Sequence, residues 1–134
     1  MRGRGLRNAA PDGPVPEFGL YLGSRKLRAT HSFDWAHEWV EWPDFLLPKD
    51  STRAVRRIHD LHARAVAGER VEVACGGGIG RTGTVIACLA VLGGVAPEDA
   101  VAWTRANYHP GAVEMPWQRR WITRISLGGS SRTG

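Results

Sequence analysis

The chain has 134 residues, 43% of them hydrophobic and six of them tryptophan, which suits one domain with its own core rather than two. Eighteen basic residues against 13 acidic ones give a net charge of +5. No basic run with interleaved aromatics points to nucleic acid, whereas an anionic substrate fits the charge. No apolar run reaches the ~20 residues of a membrane span, so no membrane partner is expected.

Residues 1–14, rich in Arg, Gly and Pro, read as a flexible leader without the apolar core of a signal peptide, and a cytoplasmic location is expected. The domain is expected over 15–127, with a flexible tail at 128–134. FGLYLG (18–23) and RKLRAT (25–30) read as short strands or a hairpin, and EWVEW (38–42) as a third strand closed by Pro43-Asp44. Asp50-Ser51 opens a helix in which Val55, Ile58, Leu61, Ala65 and Val66 recur at helical spacing, and Gly68 ends it. VEVAC (71–75) is the central strand. Arg81–Leu92 is a helix apolar nearly all round, which marks it as buried. Pro97, Glu98 and Asp99 open the next helix, which runs to about Tyr108 before His109-Pro110-Gly111 break it. A last helix starts at Pro116 and carries Trp117, Trp121, Ile122 and Ile125 on one face. The order predicts a single small layered α/β domain with a strand–loop–helix at its centre.

That loop, Cys75-Gly76-Gly77-Gly78-Ile79-Gly80-Arg81-Thr82, decides the function. Gly78–Gly83 match GxGxxG, but some 70 residues precede the unit, and Glu98 and Asp99 begin a helix where a dinucleotide site needs an acid ending a strand. A Walker loop would need glycine at Cys75 and lysine at Arg81. No CxxC is present, and His59 and His62, the nearest histidine pair, read as ordinary solvated helix residues, so no metal is expected. A nucleophilic cysteine in an anion cradle remains. Amides of 76–81 turned inward form a nest, and glycines permit the backbone this requires. The helix N-terminus adds positive potential, and Arg81 matches two phosphate oxygens at once. The same field favours the attacking thiolate of Cys75, and Thr82 is placed to donate a hydrogen bond to the sulfur.

Cys88 reads as a small core residue. It lies roughly 10 Å along its helix at ~1.5 Å per residue, beyond the ~7 Å Cα limit for a bridge to Cys75. Two free thiols fit a reducing compartment. A poor leaving group also needs a proton, and Asp44 in Trp42-Pro43-Asp44 is the candidate acid, with Asp34 and Glu41 as rivals nearby.

These residues resemble the cysteine-dependent protein-tyrosine phosphatase superfamily, in its compact bacterial or dual-specificity form. Cys75, Gly78, Arg81 and Thr82 fit its C-x5-R-[ST] signature, residues 42–44 its Trp-Pro-Asp acid loop, and 105–114 with Gln118 the segment after the signature helix. Where the family usually places histidine before the nucleophile, this chain has Ala74. The resemblance implies a central sheet flanked by helices and a two-step reaction without metal or cofactor. In it, Cys75 attacks phosphorus, Asp44 protonates the leaving oxygen, and Gln118 orients the water that releases phosphate. Gly76, Gly77, Gly78, Ile79, Gly80 and Arg81 would bind the phosphate. The expected substrate is a phosphorylated protein, phosphotyrosine above all, or a small phosphomonoester, handled by a monomer. Dual-specificity, RNA or small-molecule phosphatase activity, and a phosphopeptide-binding pseudophosphatase, are the alternatives. Phosphoinositide phosphatases of the superfamily tend to carry loop lysines, and GGGIG has none, which counts against polyanionic lipids.

Overall fold

The computed structural model describes residues 1–8 and 12–125; the expected tail at 128–134 lies outside them. Four strands, β1 (Arg2–Gly5), β2 (Phe18–Gly23), β3 (Ala36–Glu41) and β4 (Val71–Cys75), form one all-parallel sheet in the order β1-β4-β2-β3. The helices are α1 (Arg25–Ala29), α2 (Ser51–Val66), α3 (Gly80–Leu92), α4 (Ala100–Asn107) and α5 (Pro116–Trp121).

The two inner strands are buried along their whole length, as parallel strands covered on both faces must be. Side-chain alternation divides them. Phe18, Leu20, Leu22, Val71, Val73 and Cys75 join the main core with residues of α2, α3 and α5, while Tyr21 and Ala74 point the other way, to Leu6 and Trp39. α2 starts where expected: Asp50 caps it by accepting from the Arg53 amide at 3.0 Å, and the chain leaves it through Gly68 at φ 96°. α3 is buried from Gly80 to Ala90, the central helix that its sequence announces.

Two segments differ from expectation. Residues 25–29 are helical rather than extended: Ser24 accepts from the Leu27 amide at 3.2 Å, and the run holds good helix formers with only Leu27 turned to the small core. Arg2–Gly5, expected as part of a flexible leader, is an edge strand. Its Arg-Gly-Arg-Gly alternation is a strand period. Arg2 and Arg4 donate through Nε to the fully buried Glu72 at 2.7 and 2.6 Å, on the face away from the main core. The glycines lie on the crowded face. A Cβ on Gly3 would stand 2.8 Å from Ile86 of α3, and one on Gly5 2.6 Å from the Gly77 carbonyl.

Glu72 also accepts from the Tyr21 hydroxyl at 2.7 Å, and that hydroxyl accepts from the Trp35 indole at 2.7 Å. Burial alone would raise the Glu72 carboxyl, but hydrogen bonds from Arg4, Tyr21 and Arg2 outweigh it and hold the group below its ordinary range. His59 is half-buried rather than solvated; its Nε2 lies 3.1 Å from the Ile125 carbonyl oxygen.

Candidate active site

β4 delivers Cys75 to the top of the sheet, and the chain turns through 76–79 into the N-terminus of α3. The Gly78 amide donates to the Cys75 sulfur at 3.1 Å. Gly78 itself has φ 79°, and a side chain there would collide with the Gly5 backbone, so β1 closes the outside of the loop. The Tyr108 hydroxyl donates to the Gly78 carbonyl and fixes that peptide from the helical side. Burial, with the Cys75 charge second, pushes the Tyr108 phenol up to about 12, so it remains a donor. The loop thus has its carbonyls held from outside, Gly76 by the Arg7 amide and Gly78 by Tyr108, with β1 packed behind it, an arrangement compatible with an anion nest.

Arg81 is almost fully buried, with Nη1 donating to the Trp42 carbonyl at 2.9 Å and Nε 3.5 Å from Asp44 Oδ1. That ion pair joins two motifs 37 positions apart and brings the expected acid to the expected phosphate ligand. Asp44 stays 44% exposed and accepts from the Phe45 amide at 3.1 Å. Its loop is shaped by Phe45 at φ 62° and by the buried Trp42, whose indole donates to the Leu46 carbonyl at 2.7 Å. α5 grips the same loop. The Trp117 indole donates to the Phe45 carbonyl at 2.6 Å, and Gln118 Nε2 donates to the Leu46 carbonyl at 3.2 Å. Gln118 Oε1 accepts from the Met115 amide at 3.2 Å.

Cys75, the 76–80 loop, Arg81, Asp44 and Gln118 therefore belong to one connected cluster. Thr82 sits in it differently from expectation: its hydroxyl is buried without a hydrogen-bond partner, and the sulfur is met by the Gly78 amide instead. The rival acids lie elsewhere. Glu41 pairs with the exposed Arg25 at 3.7 Å, and Asp34 is exposed. Cys88 is fully buried, free, and pushed well above its ordinary range by burial, which makes it inert.

Three residues of the site had no role in the sequence reading. Tyr108 and Glu114 lie in the 105–114 segment, which Arg105 folds by donating to the Ala112 and Val113 carbonyls at 2.9 and 3.0 Å. The Glu114 carboxylate lies against Gly80; burial and the nearby Asp44 raise it, while Arg81 and His109 pull it down. Arg7 lies against Gly76 from the segment after β1. Only alternation in residues 2–5 hinted that this segment joins the domain.

Residues 45–126 match the family model of PTP-SAK, described as the Swiss Army Knife protein's DSP-PTPase phosphatase domain. Among solved structures, Tk-PTP in its active form superposes with a TM-score of 0.69 at 22% identity, covering 84% of this chain and 80% of that one. Kinase associated phosphatase with its catalytic-site cysteine replaced by serine gives 0.69 at 16% identity, covering 83% and 71%. DUSP15 gives 0.62 at 17%, covering 84% and 70%. These likenesses carry the fold, and the family model covers more than half of the chain, nucleophile loop included. The chain belongs to the DSP-PTPase phosphatase domains, within the superfamily of cysteine-dependent protein-tyrosine and dual-specificity phosphatases.

Proposed function

We propose that the protein hydrolyses phosphate monoesters through a cysteinyl-phosphate intermediate, with protein phosphotyrosine as the leading substrate class. The observation that carries this reading is the meeting of nucleophile, cradle and acid: the Gly78 amide on the Cys75 sulfur, and Arg81 held between Trp42 and Asp44. Cys75 attacks phosphorus in line while the loop amides and Arg81 take the charge on the transferring oxygens. Asp44 gives its proton to the leaving oxygen. The resulting carboxylate then takes a proton from water as that water attacks the cysteinyl-phosphate, and the thiolate is released. Gln118 carries the acid loop through Leu46, and its Oε1 retains a lone pair to orient the water. Each of these roles falls to a residue of the chain. A binding-only reading is disfavoured because Cys75, Arg81 and Asp44 are all retained.

The test is hydrolysis of phosphotyrosine, phosphoserine, an inositol monophosphate and a 5′-phosphorylated RNA side by side, with and without chelator. Chelator-resistant turnover fastest on phosphotyrosine, absent in Cys75→Ser, is the expected result. Equal turnover by Cys75→Ser would remove the mechanism, and a clear preference for another ester would remove the substrate assignment.

A further inference from the structure

Three arginines flank the nucleophile strand from the N-terminal segment, and two of them are taken. Arg2 and Arg4 both donate to Glu72 beneath the sheet. Arg7 is exposed, and its guanidinium makes no hydrogen bond or ion pair among the described residues. Its position is nevertheless fixed. The pairing of β1 with β4 runs on past the strand: the Leu6 amide donates to the Cys75 carbonyl at 2.7 Å and the Arg7 amide to the Gly76 carbonyl at 3.0 Å. The side chain then folds over Gly76, so that a Cβ on that glycine would stand 2.7 Å from both Cζ and Nη1. The first residue after the nucleophile therefore has an arginine where its own side chain would be. A cation beside the first loop residue is supplied by the segment after β1.

We propose that Arg7 is a specificity-determining residue that binds a second phosphate carried by the substrate on the atom adjacent to the scissile ester. This rests on the cysteinyl-phosphate chemistry proposed above and goes beyond its phosphotyrosine assignment, adding esters that carry a neighbouring phosphate. A guanidinium with all five N–H groups unpartnered offers a planar fork that matches a phosphate dianion. Its reach sets the geometry. Gly76 is one residue, ~3.8 Å between Cα atoms, from the nucleophile, so Arg7 stands beside the cradle rather than at a distant rim. A vicinal phosphate arrives there. A carboxylate flanking a phosphotyrosine is held off by the length of the ring. The lysine-free loop counts against polyanionic lipids in the sequence, but Arg7 brings a cation to Gly76 from outside that loop.

Phenyl phosphate, benzene-1,2-bisphosphate and benzene-1,4-bisphosphate test it at a pH where both bisphosphates are fully ionised, because the two then differ in where the second phosphate points. Wild type is expected to favour the 1,2 over the 1,4 isomer in kcat/KM by about tenfold or more, the range of a charge-assisted hydrogen bond. Arg7→Ala should bring that ratio close to one, and Arg7→Lys should restore only part of it. The three compounds are also titrated calorimetrically into Cys75→Ser and into Cys75→Ser/Arg7→Ala, where no turnover is needed. A 1,2 preference in the first that vanishes in the second supports the subsite even if no ester is hydrolysed, an outcome that would sink the phosphatase reading alone. Absence of the preference in wild type and in Cys75→Ser, or its survival in the Arg7→Ala proteins, overturns the proposal.

Discussion

Arg81 is held by a hydrogen bond to the Trp42 carbonyl and by an ion pair with Asp44 at 3.5 Å, so the proposed acid and the proposed phosphate ligand stand side by side. In the proposed mechanism Asp44, beside Arg81, is the proton donor to the leaving oxygen. Asp44→Asn should lower kcat by ~10²–10⁴, the span of a positioned proton donor, with the largest loss for esters of weakly acidic alcohols. The alkaline limb of the pH–rate profile should go with it, while Asp34→Asn and Glu41→Gln keep both rate and limb. An Asp44→Asn enzyme that retains its alkaline limb would take the acid role from this residue. Glu114 brings a second carboxylate to the same site, raised by burial and by Asp44. An anion entering the cradle meets that negative charge. Glu114→Gln should therefore tighten tungstate binding a few-fold, in line with the ~0.2–1 kcal/mol of a partly exposed charge pair. Unchanged or weaker binding in calorimetric titration would place Glu114 outside the field of the site.

The acid loop owes its position to α5 as much as to its own sequence. Trp117 and Gln118, adjacent on that short helix, hold two successive carbonyls, Phe45 and Leu46, and Phe45 adopts a left-handed backbone that needs such support. Trp117→Phe removes one of the two bonds and keeps the ring. Turnover of poor leaving groups should fall several-fold, with little change for an aryl phosphate whose phenol is already acidic. An equal loss for both esters would mean that the helix supports the cradle rather than the acid. Trp-Pro-Asp and C-x5-R-[ST] were legible in the sequence because each carries its chemistry in consecutive residues. The grip of α5 was not, because an indole N–H that meets a carbonyl 72 positions away leaves no local pattern. Helices α2 and α3 were legible from periodicity and caps. α1 is not legible because five residues are too short to show a period and its one local signal is the capping Ser24.

The whole domain is tied through the buried Glu72, which joins β1, β2 and β4 by way of Arg2, Arg4 and Tyr21. With its folded pKa held below the ordinary value of 4.5, Glu72 stabilises the fold fully above that pH and loses this contribution as pH falls through the folded value. Glu72→Gln leaves two arginines short of their charge partner and should cost ~3–5 kcal/mol near neutrality, as broken buried pairs do. In urea unfolding, the gap between wild type and variant should narrow as pH drops below about 4.5. A gap that is constant with pH would show that charge on Glu72 is not what holds β1. In the sequence the opening RGRG belongs to an Arg-, Gly- and Pro-rich stretch that reads as a flexible leader, and only the partner strand, 70 positions on, shows each residue type to be required. Above strand and sheet stands the chemical claim, that a phosphoryl group passes through Cys75. Acid-quenching the enzyme during turnover of an aryl phosphate and mapping the modified peptide by mass spectrometry tests it most directly. The account predicts one phosphoryl group on Cys75, accumulating further when Asp44→Asn slows its hydrolysis and absent in Cys75→Ser. Phosphate found on another residue, or turnover with no phosphorylated enzyme in either protein, would contradict it.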